Sequence, residues 1–178
     1  MKKSFLIGKK TYLRIHNEND IPIWSQWFND QEITRFLVHG CFPNTEKQQR
    51  DFFKNMYSSK TDFQLAIVDK KTDVLIGTIG LHKIDLTNRN TDLSIVIGNK
   101  KYWRKKIGKE AVRLMLCHAF NKLNLHKVTA GMVEENIASY KLFASLGFKK
   151  EARLREQNFA YGRYQDVIKL GILKSEYQ

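Results

Sequence analysis

Residues 91–123, TDLSIVIGNKKYWRKKIGKEAVRLMLCHAFNKL, set three unlike segments in a row: a β-branched run, a turn of cations without an acid, and a long helix with an apolar stripe. Leu93, Ile95, Val96 and Ile97 form the run, and Asp92 and Ser94 alternate with Leu93 and Ile95, as expected of a strand with one polar side near its start. Gly98 and Asn99 break it. The turn carries Lys100, Lys101, Arg104, Lys105, Lys106 and Lys109. From Ile107 onward, Ala111, Val112, Leu114, Met115, Ala119, Phe120 and Leu123 recur at helical spacing. Cations at the start of a helix oppose its dipole, and a bound anion on the free N–H groups relieves that conflict. The stretch therefore reads as a phosphate-holding turn, or else as a core helix behind a solvated basic loop.

The remainder reads as a sheet built around that unit. Residues 11–15 alternate as a first strand, Asn17 or Asn19 caps a helix at 21–29, and 31–37 is a short helical piece. His39, Gly40, Cys41, Phe42 and Pro43 form a break, and Thr45 with Gln48 makes a capping box for a helix through Met56. Strands at 63–68 and 74–81 flank a turn at 69–73, and Gly77 and Gly80 signal a bulge or a close backbone approach. A strand at 127–133, a helix at 137–146 stopped by Gly147, and strands at 148–159 and 163–173 around Tyr161-Gly162 complete the chain. About seven strands and four helices, with βα units among hairpins, predict an α/β (α+β) domain whose mixed, mostly antiparallel sheet has helices on both faces.

With 178 residues and 42% hydrophobic content the chain suits one substantial core, and no Pro/Gly/Ser-rich linker divides it. Lys2 and Lys3 precede only Phe5, Leu6 and Ile7 before Gly8, so neither a signal-peptide core nor a membrane-spanning run is legible and a cytoplasmic location is expected. Cys41 and Cys117 match no zinc or disulfide pattern, and Cys117 within the apolar helix is expected to be a packed thiol. Trp24, Trp27, Phe28 and Phe36 are core or pocket lining.

Residues 102–111, YWRKKIGKEA, resemble the acetyl-CoA turn of the GNAT N-acetyltransferases, whose pattern Q/R-x-x-G-x-G/A lies between a strand and a helix. Aligned without gaps, Trp103 takes the first position, Lys106 the first glycine and Gly108 the second. Tryptophan is a familiar substitution in the branch that modifies ribosomal-protein N-termini, whereas Lys106 places a side chain where the family has none. Residues 124–173 are similar to the closing half of that fold. The opening TYLRIHNENDIPIWSQWFND is similar to that of the ribosomal-protein alanine and serine acetyltransferases. The likeness covers nearly the whole chain and implies a single N-acetyltransferase domain over residues 1–178.

The resemblance also implies roles. Ile95 and Ile97 would offer main-chain groups to the pantetheine arm, and amides of Arg104, Lys105, Lys106, Ile107, Gly108 and Lys109, beside Trp103, would hold the pyrophosphate. Asn136 matches an asparagine that touches the cofactor, or is simply a helix cap. Many relatives carry a proton-donating tyrosine four residues before the Gly-Phe stop, where this chain has Phe143; Tyr140 lies elsewhere around the helix. Ser139 matches the serine taken as the acid in the ribosomal-protein branch. For the base, Asp92 occupies a position where many relatives carry a carboxylate, with His82, Glu134, Glu135 and Glu156 as alternatives. His118 and His126 read as structural.

The expected reaction is direct acetyl transfer from acetyl-CoA to a primary amine, without a metal. The alternative is a catalytically weak CoA-binding regulator. A net charge of +13 attracts anions and repels polycations. It favours a protein N-terminus in a ribosomal setting or a nucleotide-linked amino sugar over a free polyamine. No nucleic-acid-binding module is legible. Both a monomer and a homodimer through the last strands are compatible with the sequence.

Overall fold

The computed structural model describes residues 4–37 and 42–177. The expected break at His39, Gly40 and Cys41 lies outside them. The chain runs β1 (Leu6–Ile7), β2 (Thr11–Arg14), α1 (Ile21–Asn29), α2 (Gln31–Thr34), α3 (Glu46–Ser58), β3 (Phe63–Asp69), β4 (Leu75–Asp85) and β5 (Asn90–Ile97). It continues through α4 (Ile107–Asn121), β6 (Lys127–Val133), α5 (Ile137–Ala144), β7 (Lys149–Ala160) and β8 (Arg163–Leu173). One eight-stranded sheet has the order β1-β2-β3-β4-β5-β6-β8-β7. Every neighbouring pair is antiparallel except β5 with β6.

The strand beyond the expected seven is β1, whose two residues pair with Tyr12 and Leu13 and are too short to show a period. The expected strand 74–81 extends to Asp85, with a register shift between His82 and Asp85 and Lys83 in a left-handed conformation. The expected helix at 31–37 ends at Thr34. The capping box at Thr45 and Gln48 opens α3 as its sequence requires.

Helices cover both faces. On one, Ala111, Val112, Met115, Leu116, Ala119 and Phe120 of α4 pack on Leu65, Ile67, Ile79, Leu81 and Leu93. Removing such a side chain, as in Leu116→Ala, typically costs about 2–5 kcal/mol through lost transfer energy and the cavity left behind. On the other face, Ile21, Trp24 and Phe28 of α1 and Phe53 and Met56 of α3 pack on Tyr12, Ala66, Val68 and Leu75. Trp24 and Phe28 are thus core residues, and Trp27 is packed against their edge.

Two ties fix α1 to the sheet. Arg14 donates two hydrogen bonds to the Asp20 carboxylate, at 2.6 and 2.8 Å. Burial opposes ionisation of Asp20, but bonds from Arg14, His16 and the Asn17 amide outweigh it and hold the carboxyl well below its usual range. The second tie is steric. A Cβ on Gly98 would lie 2.0 Å from the ring of Trp27, so only glycine lets α1 sit on the end of β5. Cys117 departs from expectation: it is exposed, because the outward stripe of α4 that holds Arg113 also holds position 117.

Candidate active site

The strands at the centre of the sheet separate. β5 pairs with β6 only at residues 90–92 against 127–129, after which β5 continues along β4 to Ile97 and β6 continues along β8 to Val133. Residues 93–97 of β5 and 130–133 of β6 therefore face each other without ladder bonds. A parallel ladder draws on alternate residues, so the parted stretch leaves main-chain donors and acceptors on the inner edge of β5. Ile95 and Ile97 both lie on it. The Ile97 carbonyl is already taken, since it accepts from Trp103 Nε1 at 2.7 Å. Trp103 thus staples the turn to the strand end.

The turn delivers α4 to the mouth of this opening. Asn99 accepts from the Lys101 amide at 3.2 Å and shapes a 3-10 turn at Lys100–Tyr102. Arg104 (φ 61°) and Lys106 (φ 62°) are left-handed, which explains why glycine belongs at the position Lys106 fills. Lys106 is the N-cap of α4 and gives the helix no side-chain cap, so the first amides, Ile107 to Lys109, have no acceptor from the helix itself. The Ile107 side chain is buried in the core, which leaves only its amide to a ligand. A Cβ on Gly108 would meet nothing nearer than Leu142 at 3.4 Å, followed by Ile95 and Ile97, so this glycine faces the opening and is not demanded by the protein's own packing.

The cations divide into two sets. Lys100 is paired with Asp30 at 2.7 Å and Glu32 at 2.6 Å, and Lys109 Nζ donates to the Ser145 carbonyl at 3.0 Å. Arg104, Lys105 and Lys106 are exposed, with Lys105 Nζ 5.5 Å from the centre of the Tyr102 ring. On the outer flank of α4 a depression of about 460 Å³ adds Lys9, Lys10 and Arg113 to Lys105, Lys106 and Lys109. Arg113 comes from the next turns of α4, whereas Lys9 and Lys10 carry no local signal, because the fold alone brings the turn between β1 and β2 beside α4.

The far lip of the opening is α5. Asn136 caps it, accepting from the Ser139 amide at 3.1 Å, while its side-chain amide remains available. The Ser139 hydroxyl is half-buried and makes no hydrogen bond among the described residues. Phe143 is buried against Phe148, with ring centres 5.0 Å apart, and Tyr140 points outward to solvent. Neither supplies a phenol at the position where the family carries one.

The carboxylates are unequal. Asp92 accepts from the Thr129 hydroxyl and from Lys169 Nζ at 3.3 Å. Burial alone would raise its carboxyl, but those two partners hold it below its ordinary value, which makes it a poor proton acceptor. Glu134 is paired with Arg153 and Glu135 with Arg163, each at 2.9 Å. Glu156 occupies a left-handed position in the irregular stretch of β7. His82 instead lies on β4 with Nε2 2.7 Å from Ser94 Oγ and Nδ1 3.5 Å from Asp62 Oδ1. Asp62, Thr129 and Lys169 carried no signal in the sequence, since only sheet pairing brings them here. His118 is half-buried against Phe5 and Phe63, and burial lowers its pKa, in keeping with a structural residue.

Among the described residues, no group of His, Cys, Asp and Glu could hold a metal ion, and no helix is long and apolar enough to cross a membrane.

Known proteins are similar to this chain in sequence and in fold. Residues 10–149 match the family model described as an acetyltransferase (GNAT) domain. The chain is 32% identical to the uncharacterized N-acetyltransferase p20 of Bacillus licheniformis, over 97% of each. It is 27% identical to the spermidine N(1)-acetyltransferase of Vibrio cholerae, over 93% of this chain and 94% of that one. A crystal structure of spermidine N-acetyltransferase from Vibrio cholerae in complex with CoA and spermine superposes with a TM-score of 0.88 at 24% identity, over 96% and 99% of the two chains.

Proposed function

Because the chain belongs to the GNAT acetyltransferases, enzymes that take their acetyl group from acetyl-CoA, we propose that it acetylates a primary amine by direct transfer within a ternary complex. The observation that carries this reading is the parting of β5 from β6 beside the uncapped start of α4. An extended pantetheine arm needs a strand edge with free main-chain groups, and a pyrophosphate needs free N–H groups with positive charge around them. The opening supplies both. In this reading Ile95 offers the strand edge, and the Ile97 side chain lines the opening while its carbonyl stays with Trp103. The amides of Arg104 and of Lys106 to Lys109 hold the diphosphate, the Lys105 amide being bonded to the Tyr102 carbonyl at 3.4 Å, and the Lys105 and Lys106 side chains add charge. The Asn136 side-chain amide reaches the cofactor while its oxygen caps α5.

Ser139 is the proton donor to the leaving thiolate. A thiol has a pKa of about 8.5, so it leaves without a strong acid and a serine suffices where Phe143 replaces the phenol. Asp92 acts as an electrostatic anchor for the ammonium form of the acceptor.

The acceptor is a primary amine, and two classes lead: a protein N-terminus, on likeness to the ribosomal-protein branch, and a nucleotide-linked amino sugar, on charge. The polyamine of the 27% identical relative joins them as a third, against the repulsion expected from a net charge of +13. The whole chain works as one cytoplasmic domain. Thiol release from acetyl-CoA is to be followed over a panel of N-terminal Ala and Ser peptides, UDP-linked amino sugars and spermidine. Turnover with one class and not the others is the expected result.

The second reading, a CoA-binding regulator, is favoured by the buried, donor-free Phe143. Saturable acetyl-CoA binding in calorimetry with no thiol release above background from any amine would select it, and absence of binding would remove both.

A further inference from the structure

We propose that Asp62, His82 and Ser94 form a relay that takes the proton from the incoming ammonium group, with Ser94 Oγ touching the amine and His82 receiving its proton. The inference rests on the transferase reading above. His82 Nε2 is 2.7 Å from Ser94 Oγ, and Asp62 Oδ1 lies 3.5 Å from Nδ1 on the far side of the ring. A carboxylate at Nδ1 favours the tautomer with its proton there, which leaves Nε2 free to accept from the serine hydroxyl. Asp62 is itself held in place by Ser59 Oγ at 3.1 Å, Thr61 Oγ1 at 2.7 Å and the Lys83 amide at 3.2 Å. Space for the ring comes from Gly80, where an added Cβ would stand 3.0 Å from Nε2.

Placement makes the trio more than a surface hydrogen bond. Asp92 is the last residue of β5 to pair with β6, so Ser94 stands just beyond the point where the two strands part. Its side chain leaves the sheet on the face of Asp92, opposite the core face occupied by Leu93 under α4. A thioester along the parted edge and an amine from the α1–α3 side meet there. The side chains of His82 and Asp62 are 29% and 34% exposed, enough to return a proton to water. The charged groups around the ring are Asp62 before β3, Asp92 on β5 with its partner Lys169 from β8, and Lys83 next along β4. Asp92 is already committed to Thr129 and Lys169, so His82 is the better-placed acceptor of a proton.

The step balances. The ammonium passes one proton to Ser94 Oγ as the serine's own proton moves to His82 Nε2. The amine lone pair then forms the N–C bond, the C–S bond breaks, Ser139 gives its hydroxyl proton to the thiolate, and the second amine proton restores the serine. His82 releases its proton to solvent, so the net products are an amide, a thiol and one proton. General-base assistance of this kind contributes about 10²–10⁴-fold.

The test compares thiol release by the wild type, His82→Gln, His82→Ala and Ser94→Ala, using acetyl-CoA and whichever panel amine turns over fastest. Acetyl-CoA binding is measured alongside by calorimetry. His82→Gln is expected to lower kcat about 10²-fold with acetyl-CoA affinity within twofold of wild type. His82→Ala should recover several-fold when imidazole is added, and Ser94→Ala should lose about tenfold and gain nothing from imidazole. A folded His82→Gln with kcat within threefold of wild type, or an imidazole-insensitive His82→Ala, overturns the relay and leaves the transferase reading standing. If both His82 variants fail to fold, unchanged kcat in Ser94→Ala overturns it. Binding without turnover in the wild type overturns the transferase reading, and the relay with it.

Discussion

Two helices stand on the lips of the same opening, and they begin in opposite ways. α5 follows β6 and is closed by its own side chain, Asn136, bonded to the Ser139 amide. α4 follows β5 and begins at Lys106 in a left-handed conformation with no side-chain cap, among exposed Arg104, Lys105 and Lys106. A cap typically contributes about 1 kcal/mol, and a left-handed non-glycine residue costs about 1–2 kcal/mol. α4 therefore forgoes stabilisation twice at one residue. The chain can cap a helix fully when nothing else requires its amides, as Thr45 and Gln48 do for α3. A start left bare, strained and ringed with positive charge is what an anion-binding helix looks like in a sequence that caps α2, α3 and α5 with their own side chains.

Five variants can break or sharpen that contrast. Lys105→Glu with Lys106→Glu should weaken acetyl-CoA binding about 10–100-fold at low salt, with the loss shrinking sharply near 1 M, where charges are screened within about 3 Å. Equal loss at both salt concentrations in calorimetry would deny the turn its electrostatic role. Asn136→Ala should lower stability by about 1 kcal/mol, or 2–4 °C in Tm, while Asn136→Asp keeps the cap and the Tm. An Asn136→Asp protein that keeps its Tm yet loses acetyl-CoA affinity would separate the residue's two roles. Lys106→Gly should raise stability by about 0.5–1 kcal/mol by relieving the left-handed lysine, read by thermal melting. Lys100→Ala should change stability by about 0.5 kcal/mol at most and leave acetyl-CoA affinity alone, because its partners are Asp30 and Glu32. An affinity loss there would mean that the two sets of cations are not distinct.

The parts of the molecule set by local pattern were open to reading. α1, β6 and β8 coincide with the segments read from spacing, because caps, β-branched runs and turn residues act within a few positions. β1 is illegible because two residues show no period, and Cys117 is exposed because position 117 falls on the outer stripe of an otherwise apolar α4. The candidate site was harder. The basic turn before α4 is contiguous, so its cations and its glycine position show directly in the sequence. The parting of β5 from β6 is a property of pairing between distant segments, which no local spacing encodes. Asp62, His82 and Ser94 meet across three segments by register, Gly80 opposite Ser94, and no spacing along the chain encodes that meeting.

Trp27 lies against Gly98 so closely that a single methyl group at position 98 has no room. α1 and the root of the turn before α4 therefore share one piece of backbone. Anyone recasting α1 to admit a different amine inherits a constraint: changing the indole at 27 is expected to loosen the grip on acetyl-CoA, detectable as a rise in its KM even where the new acceptor fits.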